Sequence, residues 1–137
     1  SFINAVANLA HGAINRSSWD VGKPGSTTFI VNSLYRKHTG RDMDDTSARA
    51  MQGFLALCDA INRAASTAPA KVQAALRATD LKASQLMIGY DGVKFGANGQ
   101  NTLAATLLVQ LRGKQYVAVW PQREATAKLE LPFQGWS

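Results

Sequence analysis

The chain has a single cysteine, Cys58, in 137 residues. That excludes a disulfide framework within it and a multi-cysteine zinc site. Eleven glycines and four prolines are too few for collagen-like or Pro-rich material. No apolar run approaches the ~20 residues that a membrane-spanning helix needs. No basic stretch precedes an apolar one at the start, so a signal peptide is expected to be absent from this chain. Acidic residues are also scarce, with nine Asp and Glu against fifteen Lys and Arg, a net charge of +6. Such an excess raises the question of phosphate binding. The cations are scattered, however, and the longest unbroken basic pair is Arg36-Lys37. No aromatic residues interleave with a basic stripe, so no nucleic-acid partner is expected.

What is present suits one packed domain. Hydrophobic residues make up 46% and charged residues 18%, enough for a core and too apolar for wholesale disorder. Phe2, Val6 and Leu9 share one side of a short helix over 2–10, which His11-Gly12 breaks. A strand follows to Trp19, then a Gly/Pro loop over 20–25. Ser26 caps a helix over 27–38 with Ile30, Val31, Leu34 and Tyr35 inward, and Gly40 ends it. Asp44 or Asp45 caps a long helix over 46–65 whose core stripe is Met51, Phe54, Leu55, Cys58 and Ile61. Pro69 opens a helix to about 79 with Val72, Ala75 and Leu76 inward. Beyond Leu81 the pattern turns to short extended pieces: Met87–Tyr90, then Gly92–Phe95, with a turn at Asn98-Gly99. A strand over 103–111, a turn at Arg112-Gly113-Lys114 and a returning strand over 116–120 form a hairpin. The apolar tail from Pro132 to Trp136 is expected to dock on other structure.

Recognisable catalytic motifs are missing. Gly89-x-x-Gly92 and Gly96-x-x-Gly99 lack the context of a phosphate or dinucleotide loop. His11 and His38 lie 27 positions apart, without metal-ligand spacing, and read as loop and helix-end residues. Ser17-Ser18 lacks a nucleophile elbow, and Cys58 reads as a small buried hydrophobe. Asp42, Asp44 and Asp45 form the one acidic cluster. Capping accounts for one of them, leaving the others for a ligand or a basic partner. Trp19, beside the Gly/Pro loop, is either an exposed binding aromatic or a packing residue. No enzyme, cofactor or metal follows from these residues. A stand-alone interaction module with a basic surface remains an alternative.

Four stretches together resemble the C-terminal part of type I periplasmic solute-binding proteins, in the branched-chain amino acid (Leu/Ile/Val) receptor group of ABC importers. The first is Ala10-His11-Gly12-Ala13-Ile14 leading to Trp19 and its loop. The second is Asp44-Asp45-Thr46-Ser47-Ala48-Arg49-Ala50-Met51-Gln52 with Ala56 to Ile61. The third runs from Ala75 to Leu81, then from Gly89 to Asn101. The fourth is Val109 to Gly113, Tyr116 to Pro121, and Pro132-Phe133-Gln134-Gly135-Trp136. The chain departs from the family where Tyr90 and Asp91 replace a Gly-Pro region and Gly96 replaces an Asp.

The resemblance implies an α/β fold, a portion of two lobes with parallel sheets flanked by helices and a ligand in the cleft between them. It implies a fragment without the N-terminal portion. Residues 1–40 would belong to the second lobe, 41–102 to the first, and 103–137 would return to the second. It implies binding without catalysis, of an amino acid or small organic acid, with hinge closure, a membrane permease as partner and a periplasmic location. A sensor domain of the same fold is a further alternative. The fragment would meet the missing portion or self-associate. The family places a ligand-contacting side chain, often aromatic, at the crossing matching Met43 to Asp45. Asp44, Asp45 and Trp19 are therefore the expected ligand-binding residues, and an Asp there suggests a polar or cationic ligand group.

Overall fold

A computed structural model describes residues 5–132 of the chain. The expectations for Phe2 and for the tail from Phe133 to Trp136 lie outside the described residues. The architecture is mixed helix and strand. A one-turn 3-10 helix, Ala7–Ala10, leads to β1 (Ile14–Ser17), then α1 (Thr27–Thr39), α2 (Asp45–Ala64) and α3 (Pro69–Arg77). The short strands β2 (Asp80–Lys82) and β3 (Gly92–Lys94) follow, and then the longer β4 (Leu107–Arg112) and β5 (Gln115–Trp120).

The helix boundaries follow local chemistry. The Ser26 hydroxyl accepts from the Phe29 amide at 3.2 Å, and Gly40 closes α1 with a left-handed φ of 75°. Asp44 starts α2 with a reciprocal capping box to Ser47. Pro69 occupies the first turn of α3, where its missing N–H costs nothing. Val72, Ala75 and Leu76 form its half-buried side, as expected.

The buried faces of α1 and α2 differ from the expected ones. On α1, Val31 and Tyr35 pack inward, while Ile30 and Leu34 are more than half exposed. The residue turned inside is Asn32. Its Oδ1 accepts from the Met43 amide and its Nδ2 donates to Asp42, both at 2.9 Å. The buried backbone of the loop entering α2 needs a partner, and that need sets the helix's rotation. On α2 the buried residues are Ala48, Gln52, Ala56 and Ala60. Phe54, Leu55 and Cys58 point out, so Cys58 is not a buried hydrophobe. Small side chains admit close neighbours, and Gln52 accepts from the Met87 amide at 2.9 Å. Met87 to Tyr90 form a loop rather than a strand, with Met87 and Ile88 buried and Gly89 and Tyr90 half-buried. A Cβ on Gly89 would fall 2.6 Å from Leu107 Cδ2, so only glycine fits that approach.

Every strand pair among the described residues is antiparallel. The three-stranded order is β1-β4-β5, and β2 pairs with β3. The parallel sheets implied by the resemblance are therefore not built by this portion. A parallel pair needs a crossover of a dozen or more residues, whereas β4 and β5 are joined by a two-residue turn with Gly113 at φ +59°. Strand β4 starts at Leu107 rather than 103. Residues 101–103 instead close the β3 turn, with the Thr102 amide on the Lys94 carbonyl and the Asp91 amide on the Leu103 carbonyl. The hairpin itself lies where the sequence pattern puts it.

Candidate functional site

A cleft of about 570 Å³ opens where β1 and the tip of the β4–β5 hairpin face the loop entering α2. Its volume is within the ~300–1,000 Å³ usual for small-molecule sites. Trp19, Asp44 and Asp45 all line it, together with Arg16, Tyr116 and Lys114. The long-range pairing of β1 with β4 brings these segments together from opposite ends of the chain.

All three clustered aspartates are held by protein contacts. Asp44 Oδ1 accepts from the Ser47 amide at 2.8 Å and the Ser47 hydroxyl at 2.7 Å. The amide bond, then the hydroxyl bond, lowers its pKa below the ordinary carboxylate value. Asp42 joins Asn32, and its Oδ1 lies 3.6 Å from Arg36. Asp45 Oδ1 accepts from the Ser18 amide at 2.6 Å and the Ser17 hydroxyl at 3.1 Å, while Oδ2 pairs with Arg49 at 2.6 Å. Capping thus accounts for Asp44, but Asp42 and Asp45 are not the free carboxylates that the sequence suggests. Asp45 ties the end of β1 to the start of α2 and so builds the corner of the cleft.

Trp19 is a packing residue that also borders the cleft. Its ring is half buried and packs against the cluster of Met43, Ala48, Met87 and Ile88. Its Nε1 is buried and has no hydrogen-bond partner among the described residues. A buried donor without an acceptor costs about 1–3 kcal/mol.

The sequence pattern did not single out Arg16, Tyr116 or Lys114. Arg16 is an exposed strand residue and Lys114 sits in a hairpin turn. Only the β1–β4 register brings them to one cleft, and no local periodicity encodes that register. The histidines lie apart from it. His11 Nδ1 accepts from the Gly113 amide at 3.3 Å, and His38 is in the last turn of α1. Among the described residues no group of three or more His, Cys, Asp or Glu is placed to hold a metal ion. No described helix is long and apolar enough to cross a membrane.

No family model matches the chain. It is similar to Leu/Ile/Val-binding protein homolog 8 of Brucella abortus (strain 2308), with 31% identity over 123 residues, covering 90% of this chain and 29% of that protein. It is also similar to Leu/Ile/Val-binding protein homolog 7 of the same strain, with 30% identity over 110 residues, 80% of this chain and 27% of that one. In fold it is similar to a solved ABC transporter substrate-binding protein from Desulfitobacterium hafniense in complex with Leu. That likeness has a TM-score of 0.63 at 18% identity and covers 80% of this chain and 31% of the other. The chain spans less than a third of the length of the curated relatives it matches.

Proposed function

We propose that this chain, which is part of a type I periplasmic solute-binding protein of the Leu/Ile/Val receptor group, supplies one wall of that receptor's site for an amino acid or similar small carboxylate-bearing solute. The observation that carries this reading is the cleft lined by Trp19, Asp44 and Asp45. The names of the relatives and the leucine of the solved Desulfitobacterium hafniense complex support an amino acid as the solute. In this reading Trp19 lines the cleft. Asp44 and Asp45 hold its corner, Asp44 through the start of α2 and Asp45 through Ser17 and Ser18.

The receptor would deliver the solute to a membrane permease of an ABC importer from an extracytoplasmic compartment, closing on it by a hinge motion. Residues 1–40 and 103–137 would form part of the second lobe and 41–102 part of the first. The β1–β4 pairing supports the first grouping. The packing of Val31 and Tyr35 on Met43, Ala48 and Met87 runs across the proposed boundary and would lie at the crossing. The rest of the receptor would cover the apolar side chains that α1 and α2 leave exposed.

The test is ligand-induced stabilisation of the full-length receptor. Leucine at 100-fold excess over its Kd should add about 2.7 kcal/mol. No stabilisation by leucine, by other amino acids or by small carboxylic acids would overturn the reading.

A further inference from the structure

Asn98 is the one asparagine in the sequence that glycine follows. Both residues are exposed at the tip of the turn after β3, as are Ala97 and Gln100 beside them. Gly99 has a left-handed φ of 77°, and a Cβ built on it would meet nothing within 4 Å. Asn98 Oδ1 accepts from the Gln100 amide at 3.1 Å. That bond polarises the side-chain carbonyl and stabilises negative charge developing on Oδ1. The neighbouring nucleophile is the amide nitrogen of Gly99. With no Cβ on its own residue, it can approach Asn98 Cγ unhindered. In the closed turn the Gly99 amide donates to the Gly96 carbonyl, and the Gly96 amide to the Gln100 carbonyl, both at 2.9 Å. An exposed tip held by so few bonds lies at the low end of local stability.

We propose that Asn98-Gly99 is a site of spontaneous modification, where asparagine becomes aspartate and isoaspartate with water as co-reactant. When the tip opens, the Gly99 nitrogen gives up its proton and bonds to Asn98 Cγ. The Cγ–Nδ2 bond breaks, ammonia leaves with that proton, and a succinimide ring remains. Water then adds to either ring carbonyl. Opening at Cγ gives aspartate. Opening at the backbone carbonyl gives isoaspartate, whose main chain runs through the former side chain. Nothing is oxidised or reduced: an amide and a water become a carboxylic acid and ammonia. Both products put a carboxylate at the tip. Isoaspartate also lengthens the main chain inside the closure made by the Phe95–Asn101 bridge. Asn101 fixes that closure, accepting from the Lys94 amide and donating to the Gly92 carbonyl, both at 3.0 Å, so the change bears on β3. Asn32 and Asn101 lack this chemistry, since each precedes a larger residue and both ends of each side-chain amide are bound. The inference stands apart from the receptor reading and does not depend on it.

The test is peptide mapping by mass spectrometry of the full-length receptor, incubated for several weeks in neutral and in mildly alkaline buffer, folded and in urea. The expected result is an amide-to-acid mass gain that appears first in the peptide holding Asn98, with matching release of ammonia. The gain should be faster in alkaline buffer, where the nucleophile loses its proton more readily, and faster in urea, where the bond to Gly96 is gone. Fragmentation should show both aspartate and isoaspartate, because direct hydrolysis of the side chain gives aspartate alone. Asn98→Gln, at an exposed position, should abolish the gain in that peptide. An Asn98 that keeps its amide in the folded receptor throughout the incubation would overturn the inference, whatever the urea sample shows. So would conversion of Asn32 or Asn101 ahead of Asn98, or a product without isoaspartate.

Discussion

In the three-stranded sheet, Leu107, Val109, Leu111 and Val119 are buried, with Ala118 completing the layer, while Ile14, Leu108 and Trp120 stay exposed. In α2 the arrangement is inverted. Its buried residues are Ala48, Gln52, Ala56 and Ala60, while Phe54 is 60% exposed and Leu55, Leu57 and Cys58 lie on the surface. The sheet obtains its burial from partners within the chain. The helix uses its small side for close packing and leaves its large apolar side without a partner among the described residues. The difference lies in which side chains each region buries: large apolar ones in the sheet, small ones in α2. The β1–β4–β5 unit has its own small core, and the helical layer exposes apolar side chains that the rest of the protein is proposed to cover.

The largest expected effect tests the sheet's core. Leu111→Ala should cost about 2–5 kcal/mol in denaturant unfolding of the full-length receptor, because it empties a fully buried site. Phe54→Ser tests the other side. It should cost about 1.5–3 kcal/mol in the full-length receptor, where Phe54 is proposed to be covered. In the 137-residue chain alone it should stay within about 0.5 kcal/mol. Equal effects in both backgrounds would remove the contrast. Gln52→Ala should cost about 1–3 kcal/mol by stripping the Met87 amide of its buried acceptor, with the loss read from the unfolding midpoint.

The smallest effect concerns the cap. Asp44→Ala should cost about 0.5–2 kcal/mol. Because the folded state lowers the Asp44 pKa, its contribution is complete above the unfolded carboxylate value of ~3.9 and is lost as pH falls through that value and the folded one. Asp44→Asn keeps a capping acceptor and should lose this pH dependence. Unfolding curves at pH 6 and pH 3 would show the wild type losing more stability than Asp44→Asn over that interval.

Much of the fold was legible because its signals are local. Ser26, Gly40, Asp44, Pro69 and Gly113 each act on the residues next to them, and the structure places helix ends and the hairpin turn accordingly. The inward faces were less legible because burial depends on distant partners. Asn32 is inside because the Met43 amide needs it, and Gln52 because the Met87 amide does. Neither demand leaves a trace in apolar periodicity. At the cleft, Trp19, Asp44 and Asp45 were singled out by their residue types and by the family resemblance, and one cleft contains all three. The carboxylates' engagement and the presence of Arg16 and Lys114 depend on the β1–β4 register, which pairs residues ninety or more positions apart.

The most direct measurement of the central claim is hydrogen–deuterium exchange of the full-length receptor with and without saturating leucine. If this chain supplies a wall of the ligand cleft, leucine should slow exchange in residues 15–22, 42–45 and 114–117 and leave α3 unchanged. Binding that protects other regions and leaves these three segments at their ligand-free rates would contradict the account.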